Sequence, residues 1–152
     1  LTSHFSIYFA QESEKTFEDL NPYPWAKKSI EKMAGKGVIH GRNHQCFDPQ
    51  SFITRAEFAA LITKVLPYET AETKISLFED VQQNDWYFRP IQTAYKKDLM
   101  KGVSDSHFHP NENITRQEMA VVLAKILEKR KKAQEVDLSI LEKFEDHDQI
   151  AP

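Results

Sequence analysis

Two arginines stand where a helix ought not to want them. Arg55 lies in Ile53-Thr54-Arg55-Ala56-Glu57-Phe58, and Arg116 lies in the same setting 61 residues later, Ile114-Thr115-Arg116-Gln117-Glu118-Met119. Thr followed three residues on by Glu, just ahead of an apolar stripe, is a capping box. Thr54 with Glu57, and Thr115 with Glu118, are therefore expected to satisfy helix N-terminal amides reciprocally. A cation at the first helical position sits at the positive end of the macrodipole and costs a few tenths of a kcal/mol. Something else must compensate for it. One solution is an internal salt bridge, for instance to Asp19 or Asp80. The other is an external anion, since the planar guanidinium fork takes a carboxylate bidentately beside helix amides.

The elements that position these groups repeat with them. Phe17-Glu18-Asp19 returns as Phe78-Glu79-Asp80, Trp25 as Trp86, Gly41 as Gly102, Phe47 and Pro49 as Phe108 and Pro110, and Leu66 as Leu127, all 61 residues apart. Constant self-similarity of this kind means stacked units sharing a core. Each unit reads as an opening turn, a first helix, a loop and a second helix. Pro22 and Pro24 start a helix carrying Trp25, Ala26, Ile30, Met33 and Ala34, and Gly35 and Gly37 stop it. In the second copy Asn84 or Asp85 is the expected cap of a helix carrying Trp86, Ile91, Ala94 and Tyr95, with Pro90 shortening or kinking it. The second helices carry Phe58, Leu61, Ile62 and Val65, then Met119, Val122, Leu123 and Ile126, at i, i+3, i+4 and i+7. Each must bury a face, and the simplest partner is the same helix of the next unit. The fold class is all-α: repeated helix-loop-helix units packed around a shared central helical bundle.

The domain reading is an N-terminal segment 1-16, repeat 1 over 17-77, repeat 2 with a charged linker over 78-143, and the start of a third repeat at 144-152, where Phe144-Glu145-Asp146 reopens the pattern. Residues 1-10 are apolar enough for an export-signal remnant, although Tyr8 is bulky for a cleavage site.

Composition bounds the function. With 152 residues, 20 basic and 23 acidic, the net charge is −3, which gives no global attraction to nucleic acid or anionic membrane. The single cysteine, Cys46, excludes an intramolecular disulfide. No stretch approaches the roughly 20 apolar residues that would cross a bilayer. His40, His44 and Cys46 in one loop and His107 and His109 in the other are permissive for zinc. The register pairs His40 with Lys101 and His44 with Asp105, so no repeated metal site is expected, and no cofactor. Neither a nucleophile with its base nor a pair of carboxylates in distinct surroundings stands out, so an enzyme is not expected. The run Lys129-Arg130-Lys131-Lys132 reads as a solvated helical face.

Aromatic-x-Asp, Trp, Gly, Phe-x-Pro and Ile-Thr-Arg-x-Glu, in this order and twice, resemble the S-layer homology (SLH) repeat of bacterial surface proteins. The resemblance covers Phe17 to Leu66 and Phe78 to Leu127. It implies a non-catalytic anchoring module at the cell surface, built as a pseudo-threefold assembly whose grooves between repeats hold a cell-wall polysaccharide, often one bearing pyruvate ketals. By the same resemblance Arg55 and Arg116 are ligand-binding residues. Trp25, Trp86, Asp19, Asp80, Gly41 and Gly102 fall near the grooves, and core packing is an equal alternative for the tryptophans. The implied partners are the polysaccharide and a third SLH repeat, in cis or in trans. The family loop commonly carries an Asp-Gly step, where this chain has His44-Gln45 and Asp105-Ser106. A second reading, from a different class, is a helical protein-protein interaction scaffold in which the arginines are internal staples.

Overall fold

The computed structural model describes residues 15–66 and 75–129. Those residues are helical, with a 3-10 turn at Glu18–Leu20 followed by α1 (Pro24–Gly35), α2 (Arg55–Val65), α3 (Phe88–Lys96) and α4 (Arg116–Lys129). Among the described residues the sole extended pairing is an isolated bridge between Thr54 and Asn113. The all-α class is as the periodicity requires. The pseudo-threefold arrangement, the third repeat at 144-152 and the segment 1-10 lie outside the described residues.

The chain divides into two compact units, 1–51 and 52–152. The border falls just ahead of the second helix of repeat 1. That helix, α2, is thus built into the core of repeat 2, and the structural unit is offset from the sequence repeat.

In the first unit Phe17, Leu20 and Ala34 form a small core, with Ile30, Ile39 and Phe47 packed against it. In the second, α2 packs against α3. Ala56, Phe58, Ala59, Ile62 and Leu66 join Phe78, Phe88, Ile91, Ala94, Leu99 and Phe108 in one cluster. Small residues at 56, 59 and 94 let the two helices approach. The expected pairing of second helix with second helix is therefore corrected: the partner of α2 is the first helix of the following repeat, while α4 contributes Val122, Met119 and Ile126 to the same core.

Two further local expectations change. The first helix of repeat 2 starts at Phe88, not at Asn84 or Asp85, because Pro90 is tolerated only in a first turn, where its missing N–H has no helical partner. Trp86 precedes that helix, and Asp85 instead accepts from the Gln82 N–H at 2.7 Å. The loops do without the Asp-Gly step. Asn43 Oδ1 accepts from the N–H groups of Gln45 and Cys46 at 2.8 Å each, and Ser104 Oγ accepts from those of Ser106 and His107 at 3.4 and 3.1 Å. Such side-chain turns replace a backbone turn. Left-handed backbone also recurs in register, at Gly37 and Asp98 (φ 66° and 52°) and at Asp48 and His109 (φ 65° and 56°).

Candidate functional site

Each motif builds its helix start as the capping chemistry requires. Thr54 N–H donates to Glu57 at 2.9 Å and Glu57 N–H returns to Thr54 Oγ1 at 3.2 Å. Thr115 and Glu118 repeat these bonds at 2.9 and 3.2 Å.

What surrounds the two caps differs. At α2 the next amides are already taken, Arg55 N–H by Glu112 O at 2.8 Å and Ala56 N–H by Pro110 O at 2.9 Å. Arg55 is 5% exposed. Its Nε–H donates to Phe108 O at 2.9 Å, its Nη2–H to Lys101 O at 2.8 Å, and its Nη1–H to Glu118 Oε1. The guanidinium carbon also stands 4.8 Å over the centre of the Phe108 ring, a cation–π contact. Arg55 is thus an internal clamp, and its acid is Glu118. Asp19 and Asp80, the two acids offered as its partner, are both used elsewhere. Glu118 caps its own helix with one oxygen and holds the preceding repeat's arginine with the other.

Arg116 is exposed and makes no hydrogen bond or ion pair among the described residues. Its α4 also leaves an outer stripe uncovered. Leu123 and Leu127 are 52% and 47% exposed, whereas their counterparts Ile62 and Leu66 in α2 are 5% and 7% exposed.

The remaining candidates sort into builders and presenters. Asp19 accepts from the N–H groups of Phe47 at 3.0 Å and Asp48 at 2.6 Å. Asp80 accepts from those of Phe108 at 2.9 Å and His109 at 2.7 Å. Each aspartate ties the opening turn to the far end of its loop. The Phe47 and Asp48 amides hold the Asp19 carboxyl below its ordinary pKa. For Asp80, burial pushes upward, but the Phe108 and His109 amides outweigh it and the net direction is also down. Gly41 and Gly102 are there for close approach: an added Cβ would sit 2.5 Å from the Phe17 ring in one loop and 2.6 Å from the Phe78 ring in the other. Trp25 and Trp86 face outward, 84% and 64% exposed, which corrects the core alternative for them. Nothing in their helical spacing shows that side in advance. Among the described residues no three His, Cys, Asp or Glu side chains come together as a metal site, and no helix is long and apolar enough to cross a membrane.

The turn-helix-loop-helix with its capping box occurs twice in the chain, and comparison with known proteins identifies the repeat. The profile of the S-layer homology domain matches residues 16–59 and 77–120. The chain belongs to the S-layer homology family. It is 37% identical over 126 residues to an amylopullulanase of Thermoanaerobacterium thermosulfurigenes, covering 83% of this chain and 7% of that protein. To the surface-layer 125 kDa protein of Lysinibacillus sphaericus it is 35% identical over 104 residues, covering 68% and 9%. To S-layer protein EA1 of Bacillus anthracis it is 31% identical over 109 residues, covering 72% and 12%. The chain thus spans a small fraction of these relatives. S-layer homology domains anchor proteins to the cell wall by binding its polysaccharide, and the matched part is such a non-catalytic module, located at the cell surface.

Proposed function

We propose that this chain is a cell-wall anchor that binds an anionic secondary wall polysaccharide, with pyruvate ketals as the source of its charge. The observation that carries the reading is the outward placement of Trp25 and Trp86 at equivalent positions, in a chain whose Phe17, Phe78, Phe88 and Phe108 are buried. Indole faces left in water are suited to the apolar faces of sugar rings. Arg116, exposed at the start of α4, supplies the charge-assisted donors for a carboxylate. Arg55, Asp19, Asp80, Gly41 and Gly102 act in this reading by holding the loops in shape beside the polymer. Each contact is modest, and retention comes from several engaging one chain at high effective concentration. The partner proposed for the outer stripe of α4 is a third SLH repeat, in cis or in trans.

Pelleting with purified cell walls tests this. Arg116→Ala is expected to lower retention several-fold without lowering the melting temperature, as is stripping the polymer from the wall. Retention unchanged by both would rule the polymer site out. A second reading, the protein-interaction scaffold with arginine staples, is favoured by one observation, the complete internal engagement of the Arg55 fork. It predicts that Arg116→Ala leaves wall binding untouched and weakens capture of a protein instead.

A further inference from the structure

Repeat 1 contains a cavity of about 230 Å³ beside Phe17. Its origin is a single substitution in the register. Repeat 2 has Tyr95 at this position, with its ring edge-on to Phe78 at 5.2 Å between centroids. Repeat 1 has Ala34, and the volume of that ring is left open above Phe17. The floor is apolar, made by Phe17, Ala34 and Ile39, and the rim carries Lys15, His40, Asn43 and His44. Every polar side chain of this rim can donate, and none is a carboxylate. Asn43 spends its Oδ1 on the Gln45 and Cys46 amides, which leaves its Nδ2 hydrogens as the donating end. The Lys15 ammonium has no hydrogen bond or ion pair among the described residues. In repeat 2 the equivalent rim positions are Ser76, Lys101, Ser104 and Asp105, and Ser76 is turned inward onto the carbonyls of Phe78 and Val81 at 2.7 and 2.6 Å. A rim with donors and no carboxylate is therefore particular to repeat 1.

We infer that this cavity binds a small organic carboxylate, its ring on Phe17, Ala34 and Ile39 and its anionic head on Lys15 and Asn43. Pockets for drug-sized ligands run to about 300–1,000 Å³, so the space suits a single ring. The site is separate from Arg116 and holds whether or not that residue contacts the wall polymer. A carboxylate of this kind is available from an acidic sugar of a polymer or from a free metabolite, and the chemistry of recognition is the same.

The test is titration of the full chain, followed by amide NMR shifts, with D-glucuronate as probe and methyl glucoside as its neutral control. Glucuronate is expected to shift Ile39 to His44 saturably, with a Kd on the order of 1 mM, and methyl glucoside to bind at least about tenfold more weakly. Ala34→Tyr, which fills the cavity with the residue repeat 2 already accommodates, is expected to abolish the shifts. Lys15→Met is expected to weaken glucuronate about tenfold and leave methyl glucoside unchanged, which keeps the inference testable if the tyrosine variant fails to fold. No saturable shift in the wild type, or unaltered binding by a folded Ala34→Tyr protein, would overturn it. The same variant in the wall-pelleting assay separates the sources: lost retention identifies the polymer's carboxylate, and full retention with lost glucuronate binding identifies a free one. Arg116→Ala should keep glucuronate binding, so failure of the wall reading is distinguishable from failure of this one.

Discussion

Helices α2 and α4 carry one motif and stand in opposite surroundings. The Thr and Glu of both do the same thing, because a capping box is local and closes within four residues. The arginines part company. Repeat 2 folds its loop over the start of α2, supplies Lys101 O, Phe108 O and Glu118 to Arg55, and covers Ala59, Ile62 and Leu66. The same outer positions of α4, Ala120, Leu123 and Leu127, remain exposed. The side of the second helix that α2 buries against repeat 2 is thus the side that α4 leaves exposed. The role of its arginine depends on whether that outer side is occupied.

The largest test of the contrast is a pair of alanine variants. Arg55→Ala removes three hydrogen bonds and a cation–π contact and strands two carbonyls and a carboxylate oxygen. It should cost about 3 kcal/mol in denaturant unfolding. Arg116→Ala, at an exposed position without partners among the described residues, should stay within about 0.5 kcal/mol. Equal losses would mean that Arg116 is also an internal clamp.

The loops offer a finer contrast. Gly102→Ala drives a Cβ to 2.6 Å from Phe78 and 2.7 Å from His107 O, and Tyr95 blocks the ring's retreat. About 2 kcal/mol is expected. Gly41→Ala meets Phe17 and the Cys46 carbonyl as closely, but Phe17 borders the cavity over Ala34 and has room to yield. A measured loss for Gly41→Ala smaller than for Gly102→Ala supports that difference, and the reverse order refutes it. Where the repeats are equivalent they should respond equally: Thr54→Ala and Thr115→Ala should each cost about 1 kcal/mol, read by thermal unfolding.

What the sequence made legible follows the same division between local and non-local. The 61-residue register, the helices, both capping boxes and the loop anchors could be read because each rests on a few neighbouring residues. The Glu118 partner of Arg55 could not, since 63 positions separate them and the bond exists only once repeat 2 has folded over α2. The outward side of Trp25 was hidden for a related reason: a tryptophan near a helix start fits the apolar spacing whether or not anything packs on it. Asn43 and Ser104 were readable in principle, since Asn and Ser make side-chain turns, but they precede the positions of the absent Asp-Gly step, His44-Gln45 and Asp105-Ser106. The aspartates combined both kinds. Their recurrence was plain, while their amide partners lie 28 and 29 residues away.

Those aspartates give the smallest and most discriminating prediction. Both carboxyls lie below their ordinary value of 3.8 in the folded protein, Asp19 through the Phe47 amide first, and Asp80 because the amides of Phe108 and His109 overcome burial. A carboxyl depressed in the folded state binds its proton more weakly there than in the unfolded chain. Its stabilisation is therefore complete above the unfolded pKa near 4 and disappears as pH falls through the lower folded value. Unfolding free energy should fall on acidification below about pH 4, and Asp80→Asn should flatten that acid limb. Asp19→Asn should flatten it less, since Phe108, whose N–H binds Asp80, is also held at its carbonyl by Arg55. If the two variants flatten it equally, the packing of α2 over the second loop does nothing to strengthen the aspartate tie beneath it, and the contrast between the repeats ends at the arginine.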